Sequence, residues 1–243
     1  MTILGRLYGH CGEKNKPNRD DWLKTQLTAI PAGGKILDAG AGERSNKRFC
    51  KHLQYLSQDF GQYDGSGNEM GLQAGKWDYS GIDIVSDIAS IPVLNESFDV
   101  VLCSEVFEHL PNPIAAMKEL ARITRGGGIL LLTAPVCSLT HHAPFYFYNG
   151  FSRYFYEKFL NEAGFQIEEL SFNGHWFEYV AQELLRLPFM VERYTSMHCA
   201  KVGILIMRIC LAPLLTFLNL CSHRNTGSAE LLSCGIHIRA VKI

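Results

Sequence analysis

The sequence predicts an α/β fold with a doubly wound, largely parallel sheet, and three observations predict it. The first is Lys35–Glu43, KILDAGAGE, where a short apolar run ends on Asp38 and two glycines, Gly40 and Gly42, lead into a polar segment. A buried parallel strand turns in this way toward helical structure at the ligand-binding edge of a sheet, with glycine where the backbone passes close to a ligand. The second is Phe98–Ser104, FDVVLCS, an almost unbroken apolar run suited to a central strand covered on both faces. The third is order: short apolar runs alternate with segments of helical periodicity between Lys35 and Thr133, the pattern of successive βα units.

Each element follows from its own residues. Residues 1–18 are polar and glycine-containing and read as an N-terminal arm. Asp20 and Asp21 precede Trp22, Leu23, Leu27 and Ile30 at amphipathic helical spacing, and Pro31-Ala32-Gly33-Gly34 ends that helix. Phe49 and Leu53 predict a helix over 44–53, and 54–60 reads as the second strand, closed by Asp59. An acid about 20 residues beyond a glycine turn is placed to accept hydrogen bonds from ribose hydroxyls. The Gly-, Asp- and Ser-rich stretch 61–80 reads as a long surface loop with Trp77 as its anchor. A short third strand, 82–85, precedes Asp87 and Ile88. Asp87 is either an acceptor for an adenine amino group, with Ile88 covering the ring, or a helix N-cap, and the two roles are compatible. Pro113 opens a helix carrying Met117, Leu120 and Ile123, the run Arg125–Gly128 stops it, and 129–133 is the fifth strand. Further on, 165–172 reads as a strand, 176–187 as a helix and 231–241 as the last strand.

Composition narrows the class. The 243 residues are 47% hydrophobic and 19% charged, enough for one α/β domain with additions. The net charge of -1 gives no reason to expect a nucleic-acid partner. The eight cysteines are scattered without a C-x-x-C pair, so reduced core thiols are expected rather than disulfides or a zinc site, and no metal site is expected. The N-terminus MTILGRLYGHCGE lacks an apolar run after a basic start, which predicts no signal peptide and a cytoplasmic location.

Taken together, LDAGAGE, a strand ending QDF, SDIASIP, FDVVLCSEVFEHL and RGGGILLLTAP resemble the class I S-adenosylmethionine-dependent methyltransferases, in particular their small-molecule branch. The resemblance implies a Rossmann-like seven-stranded sheet whose last strand is antiparallel, here with a helical insertion at 175–228 before it. It implies S-adenosylmethionine as cofactor. Asp38, Gly40 and Gly42 match the positions that meet its amino-acid end, Asp59 the ribose acid, and Asp87 with Ile88 the adenine side. Ser104 and Glu105 match the end of the central strand beside the sulfonium. The turn before the fifth strand departs from the family's frequent Pro-Gly-Gly, reading Arg125-Gly126-Gly127-Gly128.

On the acceptor side, 134–156 is dense in Tyr, Phe and His. His109, His141 and His142 are the candidates for deprotonating an acceptor, and Tyr146 and Tyr148 for walling it; loop histidines without a role are the plainer reading. Phe151, Tyr154, Phe155 and Phe159 are at core-like helical spacing. Val202–Leu220 is apolar on nearly every helical face and close to bilayer length. A single span would leave the last strand on the wrong side of the membrane, and Arg208 would sit mid-span. The segment is a cap over the substrate mouth, a buried helix, a dimer face, or a helix lying in a membrane interface. The leading expectation is methyl transfer to a small-molecule or lipid- or glycan-linked acceptor. A nicotinamide dehydrogenase needs a third glycine where Ser45 stands, and a non-catalytic cofactor-binding partner or sensor is the remaining alternative.

Overall fold

The computed structural model describes residues 10–196 and 200–243, so half of the expected arm, residues 1–9, and Cys199 lie outside the described residues. Seven strands form one sheet: β1 (Lys35–Ala39), β2 (Gln54–Asp59), β3 (Ile84–Val85), β4 (Phe98–Ser104), β5 (Thr124–Ala134), β6 (Phe165–Asn173) and β7 (Gly235–Lys242). Their order is β3-β2-β1-β4-β5-β7-β6. β1 pairs in parallel with β2 and β4, and β4 in parallel with β5. β7 runs antiparallel to β5, with Leu131 opposite Arg239, as the resemblance implied. Strand order reverses between β1 and β4, which opens a crevice at the carboxyl ends of those strands.

The helices cover the sheet through few side chains. α1 (Asn15–Thr28) begins inside the expected arm and buries Leu23 and Leu27 against Ile36, Val100, Leu102 and Leu131. Each such leucine contributes roughly 1.5–3 kcal/mol by leaving water. α2 (Pro113–Ile123) is capped by Asn112, whose Oδ1 accepts from the Ala115 N–H at 3.1 Å, and it buries Ala116, Met117 and Leu120.

Several elements differ from the sequence reading: the helix read at 176–187 runs from Trp176 to Tyr194, and the last strand, read at 231–241, spans Gly235–Lys242. The segment after the glycine turn forms only a 3-10 turn, Ser45–Phe49. Arg44 is left-handed at φ 58° and donates from Nη1 to the Gly81 carbonyl at 2.7 Å, which directs the chain away from an α-helical start. The glycines 126–128 lie inside β5 rather than before it. Phe98 pairs with Thr124 and Val100 with Ile129, so the run is a bulge, pinned by the Arg125–Asp99 ion pair at 2.6 Å. In α3 (Arg153–Glu162) the core residues are Tyr156 and Leu160, whereas Tyr154 is exposed.

The chain divides into two compact units, Met1–Asn18 with Phe172–Cys234, and Arg19–Ser171 with Gly235–Ile243. In the first, α4 (Trp176–Tyr194) and α5 (Ala200–His223) share an apolar core of Cys11, Ala181, Leu215 and Leu218. Lys14 Nζ bonds Glu178 Oε1 at 3.1 Å, and Asn173 Nδ2 donates to the Asn15 carbonyl at 2.9 Å. α5 continues through Pro213 and leaves Val202, Leu205, Ile206, Ile209, Leu214, Phe217 and Leu220 exposed, so it is not a buried helix. Cys11, Cys50, Cys103 and Cys234 are buried thiols, but Cys210 is exposed.

Candidate active site

Four neighbouring strands deliver the expected cofactor residues to one edge of the sheet. Asp38 is the penultimate residue of β1, Asp59 ends β2, Asp87 follows β3 by two residues and Ser104 ends β4. The four differ in what they can offer a ligand. Asp38 is buried, and its Oδ2 accepts from Tyr55 Oη at 2.8 Å; burial first, then the neighbouring Asp59 carboxylate, push its carboxyl up to about 7. Asp59 accepts from the Gly42 N–H at 2.9 Å on Oδ2 and from the Gly61 N–H at 3.0 Å on Oδ1. These bonds hold its charge in place, although burial raises its pKa overall. A carboxylate has about four lone-pair sites, so these bonds leave acceptor capacity for a vicinal diol. Asp87 is exposed, and Oδ1 caps a turn through the Ala89 N–H at 2.8 Å, while Ile88 beside it is buried.

The two glycines serve different neighbours. A Cβ on Gly40 would stand 2.5 Å from Val106 Cγ2, so the chain after β4 closes on the backbone at that turn. A Cβ on Gly42 would stand 2.8 Å from Trp77 Cζ2. The indole of the long loop therefore lies on the turn, which gives that loop a place in the site.

Ser104 and Glu105 are held by the protein itself. Ser104 Oγ lies 2.8 Å from Thr133 Oγ1, which in turn donates to Glu105 Oε1 at 3.0 Å. Arg19 of α1 donates from Nη1 to Glu105 Oε2 at 2.6 Å. Glu105 is left-handed at φ 57°, a strained conformation for a side-chain-bearing residue and a common feature of functional turns.

Next to this edge lies a cluster of rings. Ring centroids are 4.7 Å apart for His109 and His141, 5.2 Å for His109 and His142, and 4.9 Å for His141 and His142. Trp77 joins it to the glycine turn, 5.3 Å from His142, and Tyr63 packs on His142 at 4.5 Å. Tyr146 is 5.2 Å from His141, whereas Tyr148 turns out to pack on Phe151 at 4.8 Å. The loop is strapped down by backbone: Phe147 and Tyr148 N–H groups donate to the Glu108 carbonyl at 2.9 and 3.1 Å, and His142 N–H to the Leu72 carbonyl at 2.9 Å. Burial, with His141 adding, presses the His109 imidazole down to about 3, and the same causes press His142 down to about 4. Both rings are neutral at neutral pH.

Glu108 is buried beneath this cluster, and Oε1 stands 3.8 Å from both His109 Nε2 and His141 Nε2. Because His109 is neutral, the first contact is no ion pair. Burial and then the Glu105 charge raise the Glu108 carboxyl above the usual range. The sequence brought Asp38, Asp59, Asp87, Ser104 and the three histidines into view. It did not single out Arg19, Tyr63, Thr133 or Glu108, and it gave Trp77 only an anchoring role. The E-H pair at Glu108-His109 was the one available signal for the carboxylate.

The residues present suit a positively charged nucleoside: acceptors at three strand ends, a close-packed glycine turn and an aromatic wall. A family model described as a methyltransferase domain matches residues 13–170, and the chain belongs to that family of class I S-adenosylmethionine-dependent methyltransferases. An uncharacterised methyltransferase of Mycobacterium sp. (strain JLS) is 27% identical over 135 residues, 54% of this chain and 50% of its own. A ubiquinone biosynthesis O-methyltransferase of Stutzerimonas stutzeri is 30% identical over 116 residues, 46% of this chain and 48% of its own. The chain thus spans about half the length of the curated relatives it matches. Among solved structures, phosphoethanolamine N-methyltransferase 2 of Haemonchus contortus, in complex with S-adenosylmethionine, superposes with a TM-score of 0.52 at 15% identity, covering 93% of this chain and 52% of that one.

Proposed function

We propose that the protein transfers a methyl group from S-adenosylmethionine to a hydroxyl of a small acceptor carried at a lipid surface. The observation that supports this most is the adjacency of the two halves of the site. Trp77 lies on the glycine turn and packs against His142, one of the three clustered imidazoles. The cofactor's sulfonium makes its methyl group electrophilic. The chain's task is then to bind, to align and to take a proton.

Asp59 offers both oxygens to the ribose diol, and exposed Asp87 offers one to the adenine amino group. Trp77 and Tyr63 exclude water from the path between turn and acceptor. A hydroxyl holds its proton at neutral pH, so it needs a basic group at the acceptor position, and the imidazole cluster supplies candidates. The resemblance to an O-methyltransferase points the same way. Incubation with methyl-labelled cofactor and cell-extract fractions tests the reading. Label in base-stable ether linkages on lipid-soluble acceptors is expected; label confined to nitrogen or carbon contradicts the hydroxyl assignment.

The lipid surface is proposed from α5. Val202–His223 is long and apolar enough to cross a membrane by length and composition, and little of it is buried. Yet β7, which follows it, lies within the sheet, so a single crossing does not fit the chain path. An interfacial position satisfies both facts, and contact between two copies is the competing outcome.

A further inference from the structure

We propose that His109, His141 and His142, with the Glu108 carboxylate, bind one divalent transition-metal ion at the acceptor side of the site. The sequence reading expected no metal site, because the ligands come from two separate loops, one after β4 and one after β5.

Three observations carry the proposal. The first is proximity: one nitrogen from each ring lies within 4.8 Å of the other two. Ligand atoms each about 2.1 Å from a shared tetrahedral ion are about 3.4 Å apart, so shifts of little over about 1 Å would close the set. The second is tautomer. His109 Nδ1 lies 2.5 Å from the Phe145 carbonyl and His141 Nδ1 lies 2.8 Å from the Leu139 carbonyl. A carbonyl only accepts, so both Nδ1 atoms carry hydrogen and the lone pair of each ring is on Nε2. Carbonyls that fix ring orientation in this way are the usual outer support of metal-binding histidines. The third is the carboxylate. Glu108 Oε1 is 3.8 Å from both Nε2 atoms, too far for a hydrogen bond and suited to two donors facing each other across an ion. Its other oxygen, Oε2, is buried without a hydrogen-bond partner. A cation held on Oε1 would neutralise a carboxylate that is otherwise costly to bury.

His142 adds an independent sign of construction. It is left-handed at φ 52°, held there by its N–H to the Leu72 carbonyl and by the Phe145 N–H to its own carbonyl at 3.0 Å. Imidazoles with one carboxylate favour zinc, cobalt, nickel or ferrous ions over magnesium or calcium. The role of the ion rests on the hydroxyl reading above. With the rings engaged as ligands they no longer serve as the base: coordination would lower the pKa of an acceptor hydroxyl toward neutrality, and its O–H proton would pass to water. The oxygen then forms the new bond to the methyl carbon while the carbon–sulfur bond breaks and sulfur keeps the electron pair.

The test is a cobalt titration of the full chain after chelator treatment, without cofactor or acceptor. One Co²⁺ per chain is expected, with visible absorption of nitrogen and oxygen ligation that zinc abolishes. His141→Gln and His142→Gln should each weaken binding by at least about tenfold, with unfolding temperatures in chelator close to that of the wild type. No visible absorption in the wild type overturns the site, whatever the variants do. Equal titration of wild type and both folded variants overturns it as well. Failure of methyl transfer to hydroxyls would leave this titration unaffected, so the two readings fail separately.

Discussion

Gly40 and Asp38 show how single residues near one turn divide the work of folding and binding. Gly40 is at φ +74° with Val106 where a Cβ would stand, so Gly40→Ala is expected to destabilise the fold by about 1–3 kcal/mol, seen as a lower urea midpoint without cofactor. A stable Gly40→Ala that merely binds cofactor less well would return the glycine to the ligand. Asp38 carries a pH dependence. Its carboxyl is raised from 3.8 to about 7 by burial, so the fold binds that proton more tightly than the unfolded chain does. The unfolded chain therefore ionises first, and the cofactor-free protein loses stability as pH climbs through this window and levels off above it. Asp38→Asn should flatten that slope, and an unchanged slope would assign it to other groups. Trp77 lies on Gly42, so cofactor binding should alter tryptophan fluorescence, and Trp77→Phe should remove most of the change. These roles were only partly legible. Asp38 and Asp59 stood out by their positions at apolar strand ends. That Asp59 also bonds two backbone amides was not visible, because the Gly61 partner depends on a turn the sequence does not specify.

At the scale of elements, periodicity worked where one face meets one core and failed where local geometry overrides it. β4 was read to the residue because a central strand is apolar throughout. The bulge in β5 was missed, since three glycines read equally well as a turn before a strand. The 3-10 turn at 45–49 was missed because Phe49 and Leu53 mimic a helical face while left-handed Arg44 redirects the chain. α5 was recognised as unusual from composition alone, but which of its side chains are exposed needed the fold. Leu215 is buried with Cys11 and Ala181, so it is unsuited to testing a surface. Exposed Leu205, Ile209 and Phe217 are the informative set. Replacing all three with serine should abolish flotation with anionic liposomes while leaving far-UV circular dichroism unchanged. Undiminished flotation, or no flotation by the wild type, would remove the membrane from the account.

For the whole molecule, the decisive feature is that strand order and loop contacts bring two sets of groups to one edge: carboxyls at the ends of β1 and β2 and just after β3, and imidazoles beyond β4 and β5. The first half was legible because its acids fall at fixed places relative to strands. The second was legible only as a list of histidines, since their convergence depends on how the loop at 136–150 pairs with the loop at 61–80. The most direct measurement is calorimetric titration of the full chain with S-adenosylmethionine, with NAD as control, in wild type and Asp87→Ala. Asp87 is exposed and bonds only locally, so its loss should spare the fold. One cofactor site per chain, no heat with NAD and about tenfold weaker binding in the variant are expected. No cofactor binding, or the same affinity in both proteins, would contradict the cofactor assignment.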